Sequence, residues 1–226
     1  MRHLLLTVAL AWFLLGIVAC SDGNDAMDDA HTHYIVDVVT YVGSDASTGN
    51  ACFELVGRDV SGSVMLQGNV PVPEGTKNLQ RMLLRYTPAE DGMQHQASRR
   101  VTVHSMSNVI TDSLRFSTAP LDLYAMHPVK MRSAWRTGDF INLHCQVEYT
   151  GKARTMMMLI DDHTRNQDTV HCHLHHDLRT DTAYFWRECY ASFNVGNVWK
   201  RTQCKTLRLH VNDDEQGIKH YDFDRK

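Results

Sequence analysis

Phe140-Ile141-Asn142-Leu143-His144-Cys145-Gln146-Val147 puts Ile141, Leu143, Cys145 and Val147 on one face and Phe140, Asn142, His144 and Gln146 on the other. A period of two is that of a β-strand with one buried and one wetter side. The pattern repeats downstream. Met156 to Ile160 is an apolar run suited to a central strand, and Val170 to His176 alternates with Val170, Cys172 and Leu174 inward. Phe185 to Phe193 reads as another strand. Leu207, Leu209 and Val211 alternate with Thr206, Arg208 and His210; after the polar turn Asn212–Gly217 the chain returns through Lys219–Phe223 as a terminal β-hairpin.

Upstream the chain also reads as β. Tyr34–Val42, Cys52–Val56, Leu79–Tyr86 and Arg99–Met106 are rich in β-branched and aromatic residues, with Gly43-Ser44-Asp45, Ser61-Gly62-Ser63 and Gly68-Asn69 as turns. Pro71 and Pro73 forbid a central strand between them and their neighbours. Roughly five short strands in about 80 residues suit a small barrel of the OB type. Ser117-Thr118-Ala119-Pro120 is the expected domain connection. The fold class is therefore all-β: an OB-like five-stranded barrel over residues 34–117, followed by an antiparallel β-sandwich over 118–226.

The start of the chain is different. Met1-Arg2-His3 is basic, and Leu4 to Ala19 is apolar or small apart from Thr7. That run is shorter than the roughly 20 residues a helix needs to span a bilayer, and it has the layout of a secretory signal. Ile17-Val18-Ala19-Cys20 has the lipobox pattern, which makes residues 1–19 a lipoprotein signal and Cys20 the lipidation site. Residues 20–33, with four aspartates, are a lipidated acidic tether. The expected address is the cell envelope, at the outer membrane through the lipid on Cys20, facing either the periplasm or the surface.

Composition narrows the partners. The 226-residue chain has a net charge of −3, and loss of Arg2 with the signal makes it more acidic. That argues against nucleic acid. Arg99-Arg100 reads instead as a charged strand edge that discourages sheet-to-sheet pairing. There are six cysteines, Cys20, Cys52, Cys145, Cys172, Cys189 and Cys204, without C-x-x-C spacing. With Cys20 lipidated an odd number remains, so at least one thiol stays free or pairs between chains. Cys145, Cys172, Cys189 and Cys204 are the candidate disulfide partners, with connectivity open.

Three stretches carry a family resemblance: Leu79-Gln80-Arg81-Met82-Leu83-Leu84-Arg85-Tyr86; Arg100-Val101-Thr102-Val103-His104 with Asn108-Val109-Ile110-Thr111; and Ala134-Trp135 through Gly138-Asp139-Phe140-Ile141-Asn142-Leu143. The chain resembles the NigD-like lipoproteins of Gram-negative gut and oral bacteria. The resemblance implies an N-terminal OB domain, a C-terminal β-sandwich and an envelope address. Asp59-Val60-Ser61-Gly62 departs from the family's acidic turn. The resemblance implies no catalytic residue. A bacteriocin-related, immunity-type role is the alternative it suggests.

The densest chemistry is His171-Cys172-His173-Leu174-His175-His176-Asp177. On a strand His171, His173 and His175 share a face at roughly 7 Å spacing, and imidazoles so placed suit zinc or copper. Outward His144, His210 and His220 widen the patch if their strands adjoin. Neighbouring imidazoles also titrate near neutrality, which makes the same strand a candidate pH sensor. The competing reading is a solvated polar sheet face. Hydrolase signatures are missing: Ser105 and Ser192 lack a G-x-S-x-G elbow, and Asp161-Asp162 and Asp213-Asp214-Glu215 read as turn residues rather than a glycosidase pair. Trp135, Trp186, Trp199, Tyr184 and Tyr190 suit either glycan or peptide contact or core packing, with Trp135 as a plug between the two domains. The expectation is a non-enzymatic binding or scaffolding module for a protein or glycan partner.

Overall fold

A computed structural model describes residues 33–58, 62–89, 98–151, 155–179 and 185–225. The export segment, Cys20 and the tether to residue 32 lie outside the described residues, as do Asp59-Val60-Ser61 and Tyr184. Strands β1 (Ile35–Ser44), β2 (Ala51–Val56), β3 (Ser63–Gln67), β4 (Arg81–Pro88) and β5 (Ser98–Asn108) close into a barrel in the order β1-β2-β3-β5-β4. All its pairs are antiparallel except β3 with β5. Register breaks at Tyr41/Gly43 and Arg85/Tyr86 are bulges that add the bend a small barrel needs. Val39, Phe53, Leu66, Met82, Leu84 and Val101 fill the interior. β3 went unread in the sequence because its five residues sit between two turns and offer too short an alternation.

Closure corrects one expectation. β5 is hydrogen-bonded to β3 along Ser98–Arg100 and to β4 beyond, so Arg99 and Arg100 do not guard a free edge.

The second layer system holds β6 (Ile110–Ser113), β7 (Arg115–Phe116), β8 (Lys130–Thr137), β9 (Phe140–Tyr149), β10 (Thr155–Ile160), β11 (Thr169–Asp177), β12 (Phe185–Asn194), β13 (Thr206–Asp213) and β14 (Gly217–Asp224). One sheet runs β14-β13-β11-β10-β7 and the other β6-β12-β9-β8. The pairs β8–β9, β9–β12, β10–β11 and β13–β14 are antiparallel. β6–β12, β7–β10 and β11–β13 are parallel. The barrel ends at Asn108, and the next two strands already belong to the sandwich, one to each sheet, upstream of the Ser117 connection.

Between the sheets Ile141, Leu143, Cys145 and Val147 of β9 meet Val170, Cys172 and Leu174 of β11, with Phe193, Leu207 and Leu209. These are the inward faces that the alternation assigns. Barrel and sandwich together make one unit, Tyr34–Lys226. Their contact is built on the β8–β9 turn: Gly138, at φ +56, lets the chain reverse where a Cβ would sit 3.3 Å from Val56. Half-buried Trp135 meets Arg58 from the barrel with the guanidinium 5.5 Å from its ring, as a plug would.

At the centre of the contact lies Arg81, which faces out of the barrel and is only 1% exposed. Its guanidinium donates to Thr40 Oγ1 (2.9 Å), Asn142 Oδ1 (3.0 Å) and Ser192 Oγ (3.1 Å), and more weakly to Thr137 Oγ1 and Val38 O. It also lies 4.4 Å above the Phe140 ring. Burial pulls its pKa down to about 10, which leaves it charged at neutral pH. No carboxylate forms an ion pair with it among the described residues.

Candidate functional site

The histidines gather on the outer face of the five-stranded sheet. Parallel pairing sets His173 of β11 opposite His210 of β13, and the terminal hairpin sets His210 opposite His220 of β14. One rung of the sheet is therefore His173-His210-His220. The adjoining rung is His171-Arg208-Asp222, from the same registers. The rings of His173 and His210 stack at 4.7 Å with 12° between planes, and those of His210 and His220 lie 6.3 Å apart. His171 reaches diagonally, its Nδ1 3.2 Å from His210 Nε2. Arg208 and Asp222 close the face with a two-pronged ion pair at 2.7 and 2.6 Å.

Crowding sets the electrostatics. Partial burial, then the neighbouring His173, His171 and His220 and the Arg208 charge, pull His210 down to about 4. Burial likewise lowers His173, with Asp161 opposing and His171 assisting. Both rings are thus neutral at neutral pH, the state in which imidazole ligates metal.

Two of the expected ligands fall in this face and one does not. His175 follows His173 on the same side of β11, but Tyr124 from the connection after β7 lies edge-on over it at 5.7 Å and buries it. His210 and His220 replace it. His144 stands elsewhere, on the outer face of the four-stranded sheet, where it stacks on Tyr190 at 4.3 Å and bonds Glu188 at 2.6 Å. Partial burial pushes Glu188 up, but hydrogen bonds from Gln146 and His144 hold it below the usual carboxylate value.

A tetrahedral zinc with bonds of about 2.0–2.1 Å holds its nitrogens about 3.3 Å apart. The His171–His210 spacing fits that bite. No group of three or more His, Cys, Asp or Glu is arranged to hold a metal among the described residues. A third nitrogen, from His173 or His220, has to turn inward.

The remaining candidates are structural. Ser192 is fully buried, accepting from Arg81 and donating to Asn142 Oδ1 at 2.8 Å, which excludes it as an exposed nucleophile. Asp161 caps a 3-10 turn through His163 N, and buried Asp213 accepts from Met131, Glu215 and Gln216 N–H groups, each at 3.0 Å. Trp199 is core, while half-buried Trp186 carries Lys130 4.4 Å from its ring. The five described cysteines are free thiols. A cleft of about 190 Å³ beside the Pro73–Thr76 loop is smaller than the roughly 300 Å³ at which ligand pockets begin. No helix among the described residues is long and apolar enough to cross a membrane.

Arg81 was the functional-looking residue missed in the sequence. Arg81 and Met82 are consecutive buried positions on a barrel strand, so both faces of β4 are covered at that end, which the sequence of the strand does not announce.

Comparison with known proteins follows the same architecture. A family model described as the NigD-like C-terminal beta sandwich domain matches residues 115–225. Solved structures of like fold include a NigD-like immunity protein from Bacteroides caccae, at 15% identity over 85% of this chain and 97% of that one, TM-score 0.62. A candidate toxin-related protein from Parabacteroides distasonis shares 18% identity over 86% and 94%, TM-score 0.64. A candidate lipoprotein from Bacteroides fragilis shares 11% over 86% and 98%, TM-score 0.61. No curated protein matches the chain. Residues 115–225 thus match the NigD-like C-terminal beta sandwich domain, in agreement with the resemblance carried by the sequence.

Proposed function

We propose that this chain is a lipid-anchored cell-envelope protein that binds rather than catalyses, and that the histidine face is its binding surface, taking a zinc or copper ion. The observation that carries the reading is the His171 Nδ1 to His210 Nε2 spacing of 3.2 Å between two imidazoles, one of which is held neutral by its surroundings. His173 or His220 supplies the third nitrogen by side-chain rotation. Anchoring through Cys20 is supported by the lipobox in the sequence and by the likeness in fold to a candidate lipoprotein. The test is calorimetric titration of the metal-stripped chain with zinc and with copper. Saturable binding at one ion per chain is expected, lost in His210→Ala and in His171→Ala and retained in the remote His144→Ala. Absence of saturable binding, or equal binding by all variants, rejects the reading.

An immunity-type role is the second reading, supported by the likeness to the Bacteroides caccae immunity protein. Its test is deletion in the source cells followed by challenge with supernatants of competing strains. Unchanged sensitivity rejects it. Protease shaving of intact cells, with a periplasmic protein as control, decides which way the anchored chain faces.

A further inference from the structure

We infer that Cys145 and Cys189 are a reversible dithiol–disulfide pair that cross-links β9 to β12. The two residues are directly opposed in the antiparallel register of these strands. Both point into the sandwich core. Opposed residues in an antiparallel pair hold their Cα atoms about 4.5 or 5.5 Å apart, inside the roughly 4.4–6.8 Å that a disulfide spans.

The other described thiols are engaged differently. Cys52 donates to Asn50 O at 3.9 Å, Cys172 to Arg208 O at 3.5 Å and Cys204 to Thr206 O at 3.6 Å. Cys145 and Cys189 instead face each other directly across the β9–β12 strand pair. The neighbouring Cys189 sulfur, with burial, raises the Cys145 thiol. Cys189 is the one with a path to solvent, at 9% exposure against 0% for Cys145. Cys189 is therefore the attacking sulfur and Cys145 the resolving one.

The oxidant is a disulfide, either a small molecule such as oxidised glutathione or an envelope thiol-exchange protein. The Cys189 thiolate attacks one sulfur of that disulfide, whose S–S bond breaks, and one thiolate leaves. The Cys145 thiol then gives up its proton and attacks Cys189 Sγ, expelling the second thiolate. Two protein thiols lose two electrons and two protons, and the oxidant leaves as two thiols. Opposed Cβ atoms in a sheet stand about 4.5–5.5 Å apart, whereas a relaxed disulfide takes about 3.5–4.5 Å. The bond is strained and so easily reduced, which makes it a switch rather than a permanent staple. The strands it joins also carry Asn142 and Ser192, the sandwich side of the Arg81 contact.

The test poises the purified full chain in glutathione buffers of graded ratio, traps free thiols with a maleimide and maps peptides without reduction. The expected result is one linked peptide pair holding Cys145 and Cys189, formed in oxidising buffer and reversed by dithiothreitol. Cys189→Ala and Cys145→Ala each abolish it, and Cys172→Ala leaves it intact. Should Cys145→Ala misfold by circular dichroism, the rim variant Cys189→Ala decides alone. A Cys172–Cys204 link, any other linkage in place of the expected one, or full maleimide labelling of Cys145 and Cys189 in oxidising buffer overturns the inference.

Discussion

Replacing Arg81 by alanine removes the one charge buried between barrel and sandwich among the described residues. Three of its hydrogen bonds are short, to Thr40, Asn142 and Ser192 at 2.9 to 3.1 Å. A hydrogen bond involving a charged group contributes about 1.5–3 kcal/mol, so the gross loss is about 5–9 kcal/mol. Much of that is offset because the guanidinium no longer has to be taken out of water, which costs several kcal/mol. Some acceptors keep partners: Asn142 still bonds Thr137 and Ser192 at 2.8 Å. The expected net loss is about 3–4 kcal/mol, a large share of a stability that is typically about 5–15 kcal/mol. Arg81→Met removes the charge but refills the volume, and its loss is expected to be about half as large. The assay is urea unfolding followed two ways. Trp135, Trp186 and Trp199 all lie in the sandwich, so tryptophan fluorescence reports that domain, while far-ultraviolet circular dichroism reports both. The parent should show coincident transitions, and Arg81→Ala should separate them as the barrel loses its hold. A variant within about 0.5 kcal/mol of the parent, with transitions still coincident, refutes the reasoning.

The histidine face predicts a pH dependence. His210 sits at about 4 in the folded chain against about 6.5 in an unfolded one, so the unfolded state binds the proton first. Stability is complete above about pH 6.5, falls as pH drops toward 4 and is flat below. The full shift corresponds to about 3 kcal/mol, which solvent screening at this half-exposed ring reduces to about 1 kcal/mol. Urea midpoints across that window should slope in the parent and flatten in His210→Ala; equal slopes count against the account. Asp213→Ala removes the acceptor for three backbone N–H groups that tie β8 to the β13–β14 turn, and should cost about 2–3 kcal/mol by thermal unfolding, with Asp213→Asn intermediate. Gly138→Ala places a side chain at positive φ and against Val56, and should cost about 1–2 kcal/mol, read from the same melt.

The sequence was legible where one strand carries its own signal. The β9 and β11 alternations name the buried residues correctly because a period of two is a local property, and the clean His210/Leu209 alternation puts that histidine outward. What went unread depends on partners distant in the chain. Arg81 looks like an ordinary strand charge until Ser192, 111 residues later, closes over it. His175 has the spacing of a ligand and is lost to the face only because Tyr124, which no pattern in β11 announces, lies across it. Cys145 and Cys189 were both candidates for bridging, but their opposition is a fact of register, and register is set by pairing rather than by composition. The parallel pairs of β6 and β7 are hidden for the same reason: four and two residues are too few to carry a pattern.

The early entry of β6 into the sandwich bears on how the chain can be cut. A fragment beginning at residue 115, where the family match starts, lacks Ile110–Ser113. That leaves Ala191–Asn194 of β12 with no neighbour along one side, beside the buried Phe193. An uncovered sheet margin of this kind recruits strands from other molecules. Such a fragment should therefore form assemblies that the same sandwich started ahead of Ile110 does not, and the boundary of the fold differs from the boundary of the recognisable sequence.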